Sequence, residues 1–211
     1  MVEGARLRTV WLSAFAGSNP APRIAMLKKL DSNKIEVESI EVMELRSVAK
    51  VGIKTEKRIF YFNFSSTKLL KPLSVGIMIF YNEKDGGGIK YSIDTKKNIG
   101  IVSTLVIFVK ELKRDLARFL LELALYNLIE VKSKIKAIEI RNVLDESIAE
   151  VVCNYAQPII RERKKAYEKN GYIIGEGVVY EISGVALKKL KRRFVYRPKI
   201  LKHVLKAFNL L

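Results

Sequence analysis

The residues of this chain best suited to chemistry form a cationic run behind a glutamine: Gln157, Arg161, Arg163, Lys164, Lys165 and Lys169. Glutamine can pair bidentately with adenine and arginine with guanine in the major groove, whereas lysine and further arginines neutralise phosphate. Gln157 and Arg161 fall near the start of an expected helix, the end from which base edges are reached. Arg163, Lys164, Lys165 and Lys169 are cast as phosphate contacts. The plainer reading is a solvated surface helix in which Glu162 and Glu168 supply local ion pairs.

Other chemistries find less support. Lys84-Asp85-Gly86-Gly87-Gly88 is glycine-rich, but no Gly-Lys-Ser/Thr follows it, so a hairpin turn is expected rather than a phosphate cradle. His203 is the single histidine and sits in a terminal amphipathic pattern, with no nucleophile signature around any serine. One histidine and one cysteine, Cys153, cannot build a four-ligand zinc site. Glu36, Glu38, Glu41 and Glu44 could bind a nuclease metal, but their spacing is that of a strand's polar face. No catalytic residue, metal or cofactor is therefore expected, and a metal-dependent nuclease is the enzymatic alternative.

Lys and Arg number 39 against 22 Asp and Glu, a formal charge of +17 over 211 residues. An excess of this size favours a polyanion such as nucleic acid, although lysine-rich thermophile proteins carry similar charge for stability. A lone cysteine permits no internal disulfide and suits a reducing compartment. No apolar run reaches the ~18 residues needed to span a bilayer. A cytoplasmic protein without a membrane partner is expected.

The elements that would position these residues follow from pattern. Arg8 to Phe15 reads as a buried strand, and Pro22 as the opening of a helix through Leu30. Ile35 to Glu41 alternates as a half-exposed strand. Arg58 to Phe64 and Val75 to Tyr81 are β-rich, and Ile89 to Ile93 returns after a turn over Asn82 to Gly88. From Ser103, an expected N-cap, the residues Leu105, Phe108, Val109, Leu112, Leu116, Phe119, Leu120 and Leu123 predict one face of a long helix. Its polar face carries Lys110, Lys113, Arg114 and Arg118. Lys132 to Ile140 alternates as a short strand, and Asp145 is placed to cap the next helix. Beyond Ser147 the expectation is helix, turn, the basic helix stopped at Gly171, and a hairpin of Tyr172 to Ile174 with Val178 to Ile182. Val185 to Arg193 is a basic helix, and Pro198 opens a last amphipathic one that either contacts a second copy or folds back.

Ile148-Ala149-Glu150, Ala156-Gln157-Pro158-Ile159-Ile160-Arg161, Lys164-Lys165 and Gly171-Tyr172-Ile173 together resemble a winged helix-turn-helix of the MarR and ArsR kind. Lys164 stands where that pattern has Leu, and Glu176 occupies the wing tip. The order of sheet, Asp-Gly-Gly-Gly hairpin, long helix and wing is also similar to archaeal CRISPR-associated regulators that join a CARF domain to a winged helix. The resemblance implies an α+β or α/β sheet domain over residues 1–102, for sensing, dimerisation or partner binding. A winged helix-turn-helix domain with a terminal amphipathic helix would occupy 103–211. It implies a non-enzymatic transcription regulator that binds duplex DNA, with the C-terminal helix as the candidate homodimer contact. The alternative is a protein- or RNA-binding subunit of a CRISPR-associated or replication complex.

Overall fold

The structure, a computed structural model, describes residues 23–26, 35–42, 46–54, 59–69, 74–131, 134–143, 145–160 and 178–211. Its strands are β1 (Arg23–Met26), β2 (Ile35–Val42), β3 (Arg46–Lys54), β4 (Ile59–Leu69), β5 (Ser74–Tyr81), β6 (Lys84–Asp94), β7 (Ile99–Ile107), β8 (Ala137–Ile140), β9 (Gln157–Ile160) and β10 (Val178–Ser183). All ten join one sheet in the order β1-β2-β3-β4-β5-β6-β7-β8-β10-β9. The first seven form an antiparallel meander, β8 lies parallel to β7, and β10 runs antiparallel between β8 and β9.

Among the described residues four helices accompany the sheet: α1 (Lys113–Val131), α2 (Glu146–Cys153), α3 (Gly184–Lys189) and α4 (Pro198–Ala207). A 3-10 turn over Lys110–Leu112 leads into α1. α1 packs on β6 and β7 and against α2 and α4. It is therefore buried around most of its girth: Leu116, Ala117, Phe119, Leu120, Leu121, Leu123, Ala124 and Leu125 are all enclosed, more than a single apolar stripe would be. In β5 and β6, Val75, Ile77, Ile79, Ile89, Tyr91 and Ile93 alternate onto the covered face, as the two-residue strand period requires.

The β5–β6 turn is two residues, Asn82 and Glu83, both with positive φ (49° and 62°), the conformation that matches strand twist in a tight hairpin. The glycine run that follows lies inside β6. Gly86 is the extra residue of a bulge between Ile79 and Phe80, and Asp85 Oδ1 accepts a hydrogen bond from Gly87 N at 2.9 Å. At Gly87 φ is +111°, and an added Cβ would lie 2.1 Å from the Val106 carbonyl oxygen. The glycines thus serve strand packing.

Several expectations need correction. Ser103 does not cap a helix: Ile99 to Ile107 is strand, and the helix begins at Lys113. The run Ile101-Val102-Ser103-Thr104-Leu105-Val106-Ile107 is rich in β-branched residues, whose stiff χ1 favours strand, and it outweighs apolar spacing that also fits a helix. Residues 23–26, expected in the Pro22 helix, form β1. The separate winged helix-turn-helix is also overturned. Its recognition helix would open at Gln157, but Gln157–Ile160 is β9, the end strand of the common sheet. Pro158 has no N–H to donate and is tolerated on such an edge, and two isoleucines follow it. Val178 to Ile182 lies in β10 and pairs with β9 and β8. Arg8 to Phe15 and Tyr172 to Ile174 lie outside the described residues.

Other expectations match. Strands occupy the expected stretches at Ile35, Ile59 to Phe64, Val75, Ile89 and the end of the Lys132–Ile140 run. Pro198 is in the first turn of α4. The buried face of α4, made by Ile200, Leu201, Val204 and Leu205, packs within the chain beside α1, β2 and β3. This removes the ground for a dimer built on that face.

Candidate ligand-binding site

Among the described residues the sheet opens beside β7. β8 pairs with β7 only over Ile99 to Val102, matched with Ala137 to Ile140. β7 then continues to Ile107, still paired with β6 on its other side. Ser103 is the extra residue of a bulge, since Tyr91 pairs Val102 and Lys90 pairs Thr104. A bulge bends its strand and increases local twist. On the β8 side, Arg141 N donates to Val102 O at 2.8 Å and Asn142 Nδ2 donates to Ser103 O at 3.1 Å. Asn142 itself has φ of 55°, which turns the chain away. Among the described residues no strand pairs with β7 from Thr104 to Ile107 on this side. The parallel ladder therefore ends at Val102, and among the described residues the far half of β7 is unpaired on this side.

That edge leads to the start of α1. Val109 precedes the 3-10 turn with extended backbone (φ −77°, ψ 102°) and gives no side-chain cap. The first N–H groups of a helix lack intrahelical partners, and with the helix dipole they attract anions. Lys110, Lys113 and Arg114 stand beside them together with Glu111 and Asp115, and a cavity of about 480 Å³ is lined by Lys110 through Asp115 and by Ser147.

Ser147 belongs to the neighbouring helix start, α2, which is capped from within. Asp145 Oδ1 accepts from Ser147 N at 3.0 Å, Ile148 N at 3.3 Å and the Ser147 hydroxyl at 2.5 Å. Lys113 Nζ donates to Asp145 Oδ2 at 2.6 Å, and Arg114 pairs with Glu150 at the same distance across exposed surface. The lysine and then the serine hydroxyl hold the Asp145 carboxyl down at about 2. Two helix starts thus lie side by side: α2 is capped by the Asp145 carboxylate, while the 3-10 turn into α1 has no side-chain cap and carries Glu111 and Asp115 beside its cations.

Behind the cavity, α1 is anchored by buried polar groups. Glu122 is fully enclosed. It accepts from the Tyr155 hydroxyl, from Val195 N at 2.8 Å and from Tyr196 N at 2.9 Å. Burial raises its pKa against the opposing pull of these donors. Tyr196 returns to the start of α1, where its hydroxyl donates to Asp115 O at 3.3 Å. Asn127 joins three parts of the chain: Oδ1 accepts from the Tyr91 hydroxyl at 2.9 Å, and Nδ2 donates to Leu210 O at 2.6 Å.

None of the six residues expected to read DNA is brought to this cleft by the described structure. Gln157 is exposed on β9 and lines a second cavity of about 400 Å³ with Cys153, Asn154, Glu181, Ser183 and Arg193, near the start of β8. Arg161, Arg163, Lys164, Lys165 and Lys169 lie outside the described residues. The cations at Lys110, Lys113 and Arg114 stood out in the sequence only as a helix's polar face. Their importance comes from the free strand edge ahead of them, which periodicity could not reveal. Among the described residues no group of three or more His, Cys, Asp or Glu could hold a metal, and no helix is long and apolar enough to cross a membrane.

The class defined here is an α+β protein with one short parallel pair inside a largely antiparallel sheet. No protein-family model matches the chain, and no curated protein matches it. Two similar solved structures are acetyltransferases. One, described only as such, is 17% identical over 59% of this chain and 66% of its own length, with a TM-score of 0.38. The other, nourseothricin acetyltransferase, is 9% identical over 77% of this chain and 96% of its own, also with a TM-score of 0.38. This chain thus spans under two thirds of the first, and likenesses at this level do not define a family. Neither is a winged helix protein of the MarR or ArsR kind. The expectation of a non-enzymatic DNA-binding regulator, with its alternative as a binding subunit of a nucleic-acid machine, is corrected by the fold itself: the element that was to read DNA opens at Gln157 as an edge strand of the common sheet.

Proposed function

We propose that the chain is an acyltransferase that binds a thioester carrier of the coenzyme A type. One observation carries the reading: among the described residues the edge of β7 from Thr104 to Ile107 that faces away from β6 is unpaired, and it runs straight into a helix start without a side-chain cap, where the exposed Lys110 stands. An extended arm bearing amides can add to an open strand edge by backbone hydrogen bonds. A phosphate or pyrophosphate at the end of that arm then meets the N–H groups of the 3-10 turn and α1 and the ammonium of Lys110, while Lys113 and Arg114 stay paired with Asp145 and Glu150. Coenzyme A has these parts in this order.

In the transfer, the acceptor's nitrogen or oxygen attacks the thioester carbonyl, the carbon–sulfur bond breaks, and the acceptor's proton leaves to the thiolate or to solvent. The chain's contribution is positioning: strand edge and helix start fix the carrier at two points, which converts an encounter into a local reaction. Acetyl transfer, named for both similar structures, is one reaction of this class; support for the proposal comes from the strand edge and the helix start.

Calorimetric titration with coenzyme A and acetyl-coenzyme A tests the reading. Saturable binding is expected, weakened about tenfold in Lys110→Glu because an exposed cation beside the phosphate becomes an anion. A folded chain that takes up neither compound overturns it.

A further inference from the structure

The C-terminal stretch has a charge pattern that neither the cleft nor the core uses. From residue 185 to 211 there are nine Lys and Arg and no Asp or Glu. In α3 and the turn after it, Val185, Lys188, Lys189 and Arg192 recur at helical spacing and are all exposed. In α4, Lys199, Lys202 and Lys206 form a second row, on the side away from the buried Ile200, Leu201, Val204 and Leu205. Of the nine cations only Lys191 has an acidic partner among the described residues, Glu130 of α1. Lysines without carboxylates among them repel one another, which is tolerable when an anionic surface lies opposite.

We propose that α3 and α4 dock on an anionic lipid bilayer. Three observations favour that occupant. The rows lie on two successive helices and consist mainly of lysine, a point charge suited to a plane of headgroups rather than to bidentate recognition. Aliphatic side chains punctuate them: Val185 is 64% exposed, Val195 55% and Leu211 47%, and such residues enter the headgroup boundary. The aromatic residues of the stretch are withdrawn, with Tyr196 and Phe208 buried and Phe194 half-buried, so no platform for stacking bases is offered. The apolar face of α4 stays in the core, and the association is peripheral.

Co-sedimentation of the full chain with vesicles tests the proposal, using phosphatidylcholine alone and phosphatidylcholine mixed with about one third phosphatidylserine. Binding to the mixed vesicles only is expected, and it should be lost in high salt, where charges are screened within a few ångströms. Each lysine removed should lower partitioning about fivefold. The triple variant Lys199→Glu, Lys202→Glu, Lys206→Glu should therefore stay in the supernatant, while Lys84→Glu, Lys96→Glu, Lys97→Glu, with the same change in net charge at other exposed sites, should still sediment. If the first triple loses its melting transition, the same three positions changed to Gln replace it. Equal sedimentation with both vesicle types, equal loss in both triples, or binding of a DNA duplex but not of the vesicles overturns the proposal.

Discussion

Lys113 and Asp145 tie the starts of two helices together: the ammonium of one, in the first turn of α1, lies 2.6 Å from the carboxylate that caps the other. Lys113 and Ser147 both line the cleft, and the Asp145 carboxylate accepts from the N–H groups of Ser147 and Ile148 as well.

Asp145→Ala should cost about 1 kcal/mol through loss of the cap, and Asp145→Asn less, because an amide oxygen can still accept from the helix N–H groups. The carboxyl titrates lower in the folded chain than in the unfolded one, at about 2 against 3.8. Its stabilisation is therefore complete above the unfolded value and disappears as the pH falls through the folded one. Urea midpoints from pH 5 to pH 2 should converge for wild type and Asp145→Asn at the acid end.

Glu122→Ala should be far more damaging. It leaves the Tyr155 hydroxyl and the Val195 and Tyr196 N–H groups without their acceptor in the interior, at a cost of about 3 kcal/mol or more. Because burial raises the Glu122 pKa, the folded state holds its proton to higher pH than the unfolded state. The contribution is thus largest in acid and declines as pH rises above 4.5. Denaturation of wild type and Glu122→Gln across pH 4 to 8 should show the wild type losing ground relative to the glutamine variant as pH increases.

Gly87→Ala and Gly184→Ala both place a side chain at positive φ, yet they should differ. At Gly184 (φ +55°) nothing lies within 4 Å of the new Cβ, so only the left-handed backbone is strained, at roughly 1 kcal/mol. At Gly87 the φ of +111° is nearly exclusive to glycine, and the Cβ would strike the β7 backbone. Thermal melts should show a modest shift for the first and a collapse of folded yield for the second.

Asn127→Ala should exceed Tyr91→Phe in cost, because the asparagine serves both the sheet and the chain end while the tyrosine hydroxyl serves the asparagine alone. Roughly 1 kcal/mol is expected for Tyr91→Phe. In Asn127→Ala, hydrogen exchange at residues 208–211 should accelerate as well.

Strand positions such as Val75 to Tyr81, the Asp145 cap and the Pro198 helix start could be read from the sequence, because each depends on neighbours a few residues away. Residue type set them: alternating β-branched side chains, a carboxylate two residues before an N–H, a ring with φ already helical. Two decisions could not be made locally. Ser103 to Ile107 fits helical spacing and strand propensity alike, and pairing with β6 settled it. Gln157 to Ile160 matches a recognition-helix pattern, yet an edge place beside β10 accepts the proline and makes it strand. The cleft is wholly of this second kind. Lys110, Lys113 and Arg114 were visible as charges, but a bulge at Ser103 and a parallel partner that stops at Ile140 put an open backbone edge ahead of them. Such edges arise from pairing between distant segments, and that is why tertiary structure alone could create the site.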